Sequence, residues 1–217
     1  MKLNAFTKTF EGRKVLDFPG CSLEKGEIWA LIGSNGSGKS TLARIAAGAI
    51  PTDSGIKAFD KKTAIGYMPQ KSYAFRMSAL GNLCLGGREK SRAMEMLKKL
   101  GIDHLASSPA KKLSGGETAR MALGRVLMED HELVILDEPT ASMDMESTAL
   151  SEKLIVDYCR ENGACVLWVT HSLAQARRVA HKVMFLSQGR LVEYGSAEKV
   201  LNNPEMEETK EFLKFYE

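Results

Sequence analysis

The sequence predicts an α/β fold built on a mostly parallel sheet, with a small antiparallel sheet at its N-terminal end and a helical insertion in the middle. Three observations predict it. Apolar runs of strand length recur: "IWALI" at 28–32, "LVILD" at 133–137, "CVLWVT" at 165–170 and "VMFLS" at 183–187. They are continuous rather than alternating, as strands covered on both faces are, and helical patterns separate several of them. A glycine-rich loop, "GSNGSGKS", follows the first run and leads into the helical pattern "TLARIAAG". Between about 71 and 113 no strong strand pattern occurs.

The elements follow in order. "MKLNAFTKTF", "KVLDFPG" and "SLEKGEI" are short, interrupted by polar residues and rich in turn formers, which suits antiparallel strands. In the middle stretch, "REKSRAMEMLKKLG" sets Ala93, Met96, Leu97 and Leu100 on one helical face, with Gly101 placed to end it. "FLSQGRLVEYG" reads as a hairpin around Gln188-Gly189. After Pro204 the tail forms a last helix whose Phe212, Leu213 and Tyr216 pack back on the body. The 217 residues make one domain. Its core comprises 1–70 and 123–217, and 71–122 is the helical subdomain.

Bulk properties exclude several classes. A net charge of +3 without a concentrated basic stripe argues against a nucleic-acid partner. Cys21, Cys84, Cys159 and Cys165 show no CxxC spacing and no accompanying histidine cluster, so they are expected to be reduced, mostly buried thiols rather than zinc ligands. The N-terminus lacks the apolar stretch of a signal peptide. No apolar run approaches the roughly 18 residues that cross a bilayer. Work at a membrane would require another protein to hold the chain there.

The first loop carries chemistry. Gly33, Gly38, Lys39 and Ser40 fit G-x-x-x-x-G-K-[ST], flanked by strand and helix as the motif requires. Glycines let backbone N–H groups converge on phosphate oxygens, and the helix that starts there adds the positive end of its dipole. Lys39 would reach the β- and γ-phosphates, and Ser40 would ligate Mg²⁺. Asp137 ends an apolar strand where ligands collect in open α/β sheets, and it would hold the same Mg²⁺, through water. Glu138 beside it could polarise an attacking water. The core is thus that of a P-loop nucleotidase, a class that includes kinases, GTPases and motors. No N-K-x-D that would read guanine occurs.

A second glycine loop narrows the class. "LSGGE" at 113–117, 24 residues before Asp137, resembles the signature of the ATP-binding cassettes of ABC transporters. Other marks of that family fall in order: Gln70 in "GYMPQ", the stretch "DEPTASMD" from Glu138 to Asp144, and His171 in "WVTHS". Phe10 stands where the family places an aromatic that stacks on adenine. The resemblance spans nearly the whole chain.

The resemblance implies ATP as ligand with Mg²⁺ as cofactor. The expected nucleotide contacts are Phe10, the loop residues Gly33, Ser34, Asn35, Gly36, Ser37, Gly38, Lys39, Ser40 and Thr41, and Asp144. Ser114, Gly115 and Gly116 would reach the γ-phosphate bound to a second copy, in a head-to-tail homodimer formed on ATP. The helix carrying that contact would start near Glu117. Lys39, Gln70, Glu138 and His171 would be catalytic, and Ser40, Gln70 and Asp137 would hold the metal. Taken singly, several of these residues have plainer readings: Phe10 as core, Asp144 as a helix cap, His171 as a polar cap on a strand.

The sequence departs from the family pattern at Phe10, where Tyr is frequent; at Glu117, where Gln is commoner; and at Ser172, where Asp is frequent. Only 43 positions separate Gln70 from Leu113, so the helical segment is shorter than many. The implied role is an ATPase subunit on the cytoplasmic face of the cell membrane, energising separate permease subunits that dock around "KSYAFRMSAL". Tyr73 and Phe75 there are either interface or core. The tail resembles importers of oxyanions such as tungstate, molybdate or phosphate, which would add a substrate-binding protein. Amino-acid importers, metal exporters and non-transport ATPases remain alternatives.

Overall fold

The computed structural model describes residues 1–216. Its elements are β1 (Lys2–Leu3), β2 (Phe6–Phe10), β3 (Arg13–Phe18), β4 (Cys21–Ser22), β5 (Ile28–Ile32), α1 (Lys39–Ala46), β6 (Ile65–Met68), α2 (Ala79–Leu83), α3 (Lys90–Lys99), α4 (Gly115–Leu127), β7 (Leu133–Asp137), α5 (Met145–Asn162), β8 (Cys165–Val169), α6 (Leu173–Val179), β9 (Lys182–Ser187), β10 (Arg190–Ser196), α7 (Ala197–Asn202) and α8 (Glu207–Tyr216). The main sheet runs β2-β3-β10-β9-β5-β8-β7-β6, and the five strands from β9 to β6 are parallel.

Period-2 side-chain alternation divides the apolar runs between two layers. Val134, Leu136, Val166 and Trp168 face a core shared with α2, α3, α4 and α5. Leu133, Ile135, Cys165 and Leu167 face the opposite core, where Leu42 and Ile45 of α1 pack together with Leu16 and Phe18 of β3. A third cluster joins Ile32 and Phe185 to Leu201 of α7 and Leu213 of α8. Phe212 stacks on Phe185 with ring centroids 4.8 Å apart, while Tyr216 touches the rings of Phe212 and Phe215 and stays half exposed.

The N-terminal sheet is less separate than the sequence suggests. Only β1 and β4 form a detached antiparallel pair. The β2–β3 hairpin joins the main sheet because β10, the second strand of the late hairpin, pairs with β3 at Arg190 and Asp17. In the insertion, α3 buries Ala93 and Leu97, and Gly101 follows it at φ +66°. Cys21, Cys159 and Cys165 are buried, and Cys84 is half-buried. Desolvation pushes the Cys21 and Cys165 thiols up to about 12 and Cys159 to about 11, so these three are poor nucleophiles at neutral pH. Among the described residues no helix is long and apolar enough to cross a membrane.

Candidate functional site

The phosphate loop lies between the end of β5 and the start of α1. Its first glycine cannot be replaced without displacement, because a Cβ on Gly33 would sit 2.2 Å from the carbonyl oxygen of Leu186 in β9. Gly38 has φ +104° and caps α1 without any side-chain hydrogen bond, and the first turn of α1 holds no acidic residue. The positive end of this helix is therefore left to an external anion. The loop is buttressed from behind by the β9–β10 turn, where Gly189 N–H donates to Ser37 O at 3.0 Å. Lys39 is buried and folds back on the loop, its Nζ donating to Gly33 O and Ser34 O at 2.8 Å each. Burial lowers its pKa, against the raising effect of Glu138 and Asp137.

Asp137, at the carboxyl end of β7, is fully buried. Ser40 Oγ donates to its Oδ1 at 3.2 Å, and its Oδ2 has no hydrogen-bond partner. An orphaned buried carboxylate oxygen beside a hydroxyl is the donor type that Mg²⁺ takes. Among the described residues no group of three or more His, Cys, Asp or Glu could hold a metal by itself. A cation here would need oxygens from a bound phosphate to complete its shell, which is how Mg²⁺ is commonly held at nucleotides.

Burial raises the Asp137 pKa, with Glu138 adding to the effect and Ser40, Arg44 and Lys39 opposing it. A raised folded-state pKa means that the contribution to stability is intact below the ordinary carboxylate range and is lost as pH rises through the folded value. We therefore expect the metal-free Asp137→Asn protein to gain stability relative to wild type as pH rises. Thermal melts from pH 4 to pH 8 measure this, and a difference that does not change with pH would contradict it.

Glu138 follows directly, with φ +51°, a strained backbone that turns the chain away from β7. Its N–H is held by Val169 O at 3.0 Å, at the end of β8. Gln70, two residues past β6, donates through Nε2 to Glu138 Oε2 at 3.1 Å, and His171 Nδ1 lies 3.5 Å from the same oxygen. Three residues far apart in sequence thus meet at one carboxylate, at the same sheet end as the phosphate loop.

The second glycine loop is a helix start. α4 begins at Gly115, two residues before the expected Glu117, because Ser114 caps it. Ser114 Oγ accepts from Glu117 N–H at 3.3 Å, and Glu117 carboxylate accepts from Ser114 N–H at 2.7 Å, a full capping box. This explains why Glu stands as well as Gln at 117: the box needs only a side-chain oxygen there. Ser114 and Gly115 are exposed, and a helix N-terminus facing solvent offers Gly115 and Gly116 N–H groups to an anion. Gly116 rests on the chain after Glu138, where a Cβ would come within 2.8 Å of Ser142 O. A cleft of about 440 Å³ lies between Gly115, Gln70 and Glu138.

Phe10 ends β2 and is 47% exposed, so it is a surface platform rather than core. Lys8 Nζ covers its ring at 5.2 Å, and Asp53 anchors the strand through Thr9 N–H and the hydroxyls of Thr9 and Thr7. Asp144 caps α5, accepting from Ser147 N–H at 2.7 Å. Tyr73 is 61% exposed and Phe75 41%, their rings edge to face at 5.1 Å, which rules out the core reading. Arg125 and Asn82 lacked any sequence signal. Arg125 of α4 donates to Tyr73 O at 3.0 Å and Asn82 Oδ1 at 3.2 Å, and Asn82 brackets Phe75 through both N–H and C=O. An isolated polar residue inside a helical pattern does not announce such a clamp.

Comparison with known proteins finds relatives in one family. The sequence profile of the ABC transporter family matches residues 18–141. The chain is 40% identical over 201 residues to the tungstate uptake system ATP-binding protein TupC of Peptoclostridium acidaminophilum, covering 86% of this chain and 94% of that one. It is 36% identical to the zinc import ATP-binding protein ZnuC of Pseudomonas fluorescens, covering 87% and 74%. It is 32% identical to the phosphate import ATP-binding protein PstB 2 of Natronomonas pharaonis, covering 94% and 82%. Among solved structures, a dimeric post-hydrolysis state of the ATP-binding cassette MJ0796 bound to ADP and Pi superposes with a TM-score of 0.80 at 24% identity, covering 90% of this chain and 98% of that one.

Proposed function

The chain belongs to the ABC transporter family, and from that premise we propose how this ATP-binding subunit hydrolyses ATP and what it energises. The observation that carries the reading is the convergence of Gln70 and His171 on the Glu138 carboxylate, beside the phosphate loop and Asp137.

ATP hydrolysis needs a water to attack the γ-phosphorus while ADP leaves. The phosphate loop and the α1 N-terminus hold the phosphates. Lys39 exchanges its two loop carbonyls for β- and γ-phosphate oxygens. Ser40, Asp137 and Gln70 would hold Mg²⁺, which when bound would offset phosphate charge. Glu138 takes the proton of the attacking water, with Gln70 and His171 fixing its Oε2 so that Oε1 points to the water. Phe10 stacks on the adenine.

Ser114, Gly115 and Gly116 complete the site from a second copy, so that ATP lies between one chain's phosphate loop and the other's capped helix start. ATP contacts both chains and ADP fewer, so nucleotide state sets the dimer equilibrium. Asp144 caps α5 at the same interface.

The exposed Tyr73–Phe75–Met77 surface is the permease contact, and the assembly sits on the cytoplasmic face of the membrane. Cargo follows the relatives: the tungstate and phosphate proteins favour an oxyanion importer with its own substrate-binding protein, and the zinc relatives supply the second reading. Co-expression with candidate permease subunits tests the docking surface. Phe75→Asp is expected to weaken capture of the permease at least ~30-fold, the effect of losing a buried aromatic anchor, while ATP affinity holds. Undiminished capture would remove this surface from the interface.

A further inference from the structure

We propose that Gln175 is a positioning residue that locks the Glu138 and His171 segments together, so that the carboxylate and the imidazole meet in one fixed geometry. This rests on the roles assigned above to Glu138 and His171. Gln175 lies on α6 and is only 4% exposed. Its Nε2 donates to Thr140 Oγ1 and to Glu152 Oε1, each at 2.9 Å. Its Oε1 accepts from Thr170 Oγ1 at 2.8 Å. Thr170 in turn accepts Ser172 N–H at 3.0 Å. Both neighbours of His171 are therefore tied to Gln175, as is Thr140, two residues past Glu138.

The direction of every bond in this chain is fixed. Arg178 donates to both Glu152 oxygens, at 2.7 and 3.1 Å. Burial pushes the Glu152 pKa up, but the hydrogen bonds of Arg178 and Gln175 outweigh it and leave the pKa lowered. Glu152 is thus an anion that can only accept, so Gln175 must turn its amide nitrogen towards it and its oxygen towards Thr170. The buried members of this network, Gln175, Glu152 and Thr170, have their polar groups satisfied in a single arrangement, which exposed Arg178 closes from the surface, and they are stiff for that reason. A cleft of about 210 Å³ opens beside it between Glu138 and His171. None of these side chains lies in the phosphate loop, so their contribution falls on geometry at the reacting water and not on nucleotide binding.

Steady-state ATPase kinetics of the full chain test this with two substitutions. Gln175→Leu keeps the shape and removes all three side-chain bonds; kcat should fall by at least ~tenfold, the scale of a small misplacement at a reacting centre. KM for ATP should stay within about twofold of wild type. Gln175→Glu sets a second carboxylate against Glu152 and should lose kcat similarly. Adding Glu152→Gln to Gln175→Glu restores one donor and one carboxylate, and should return kcat to within about threefold of wild type. That rescue also guards against a variant that merely fails to fold. Wild-type kcat in Gln175→Leu, a loss confined to KM, or a reciprocal pair no better than Gln175→Glu alone would each overturn the proposal. Should Glu138→Gln itself keep turning over, the catalytic reading fails; should Glu138→Gln be inactive while Gln175→Leu is normal, only this inference fails.

Discussion

Glu138→Gln is expected to stop ATP turnover while leaving a chain that binds ATP and dimerises on it. The amide has the carboxylate's shape, so it fits the strained backbone at φ +51° and still accepts from Gln70, now 3.1 Å away. It cannot take a proton from water. Loss of a positioned general base costs roughly 10²–10⁴ in rate. Nothing in the phosphate loop changes, because Lys39 and Ser40 make their bonds to Gly33, Ser34 and Asp137. Phosphate release measured at saturating Mg²⁺ and ATP checks the first half, and nucleotide titration the second. Turnover close to wild type would remove Glu138 from the reaction.

Ser114→Arg should be nearly as damaging to turnover, for a different reason. Within a single chain Ser114 is exposed and bonds only within its own helix start. Replacing it loses one half of the capping box, about 1 kcal/mol. The other half survives, since Glu117 accepts from the backbone N–H at 114, which is unchanged in the variant. α4 also stays anchored by Met121 and Leu123 in the core. The fold and the ATP affinity of the monomer should therefore change little. A long cation at this position would occupy the space where the other chain's γ-phosphate must enter. Losing preorganised donors to a developing anion costs about 10²–10³ in rate, and steric exclusion adds to it. Nucleotide affinity within about twofold of wild type, with hydrolysis lost, is the expected pair of results. Normal hydrolysis would mean that the second glycine loop takes no part in the reaction.

The parts of this molecule that could be read in advance share a physical cause. β5, β7, β8 and β9 are covered on both faces, so their sequences are unbroken apolar runs. β6 is the sheet edge, pairs only with β7, and alternates half-buried with buried residues over four positions; "IGYM" carries too little pattern to stand out. α7 was equally silent, since six residues give less than two turns of periodicity. The merger of β2–β3 with the main sheet turns on a single pairing, Arg190 with Asp17, which no local pattern encodes.

The site was legible wherever backbone geometry demands a residue type at fixed spacing, as at Gly33, Lys39 and Ser114. Asp144 takes the plainer of its two sequence readings, for it caps α5 as any N-terminal aspartate can. Gln175 and Glu152 gave no signal because their chemistry arises only when α5 and α6 are brought side by side. A polar residue on a helix otherwise reads as solvated surface.

The two glycine loops are expected to form one ATP site shared between two chains. Sedimentation of Glu138→Gln with saturating Mg²⁺ and ATP tests it most directly, run beside the same protein carrying Ser114→Arg as well. Both should bind ATP. The first should sediment as a dimer and the second as a monomer. A Glu138→Gln protein that binds ATP yet stays monomeric, or a doubly substituted protein that still dimerises on ATP, would contradict the shared site.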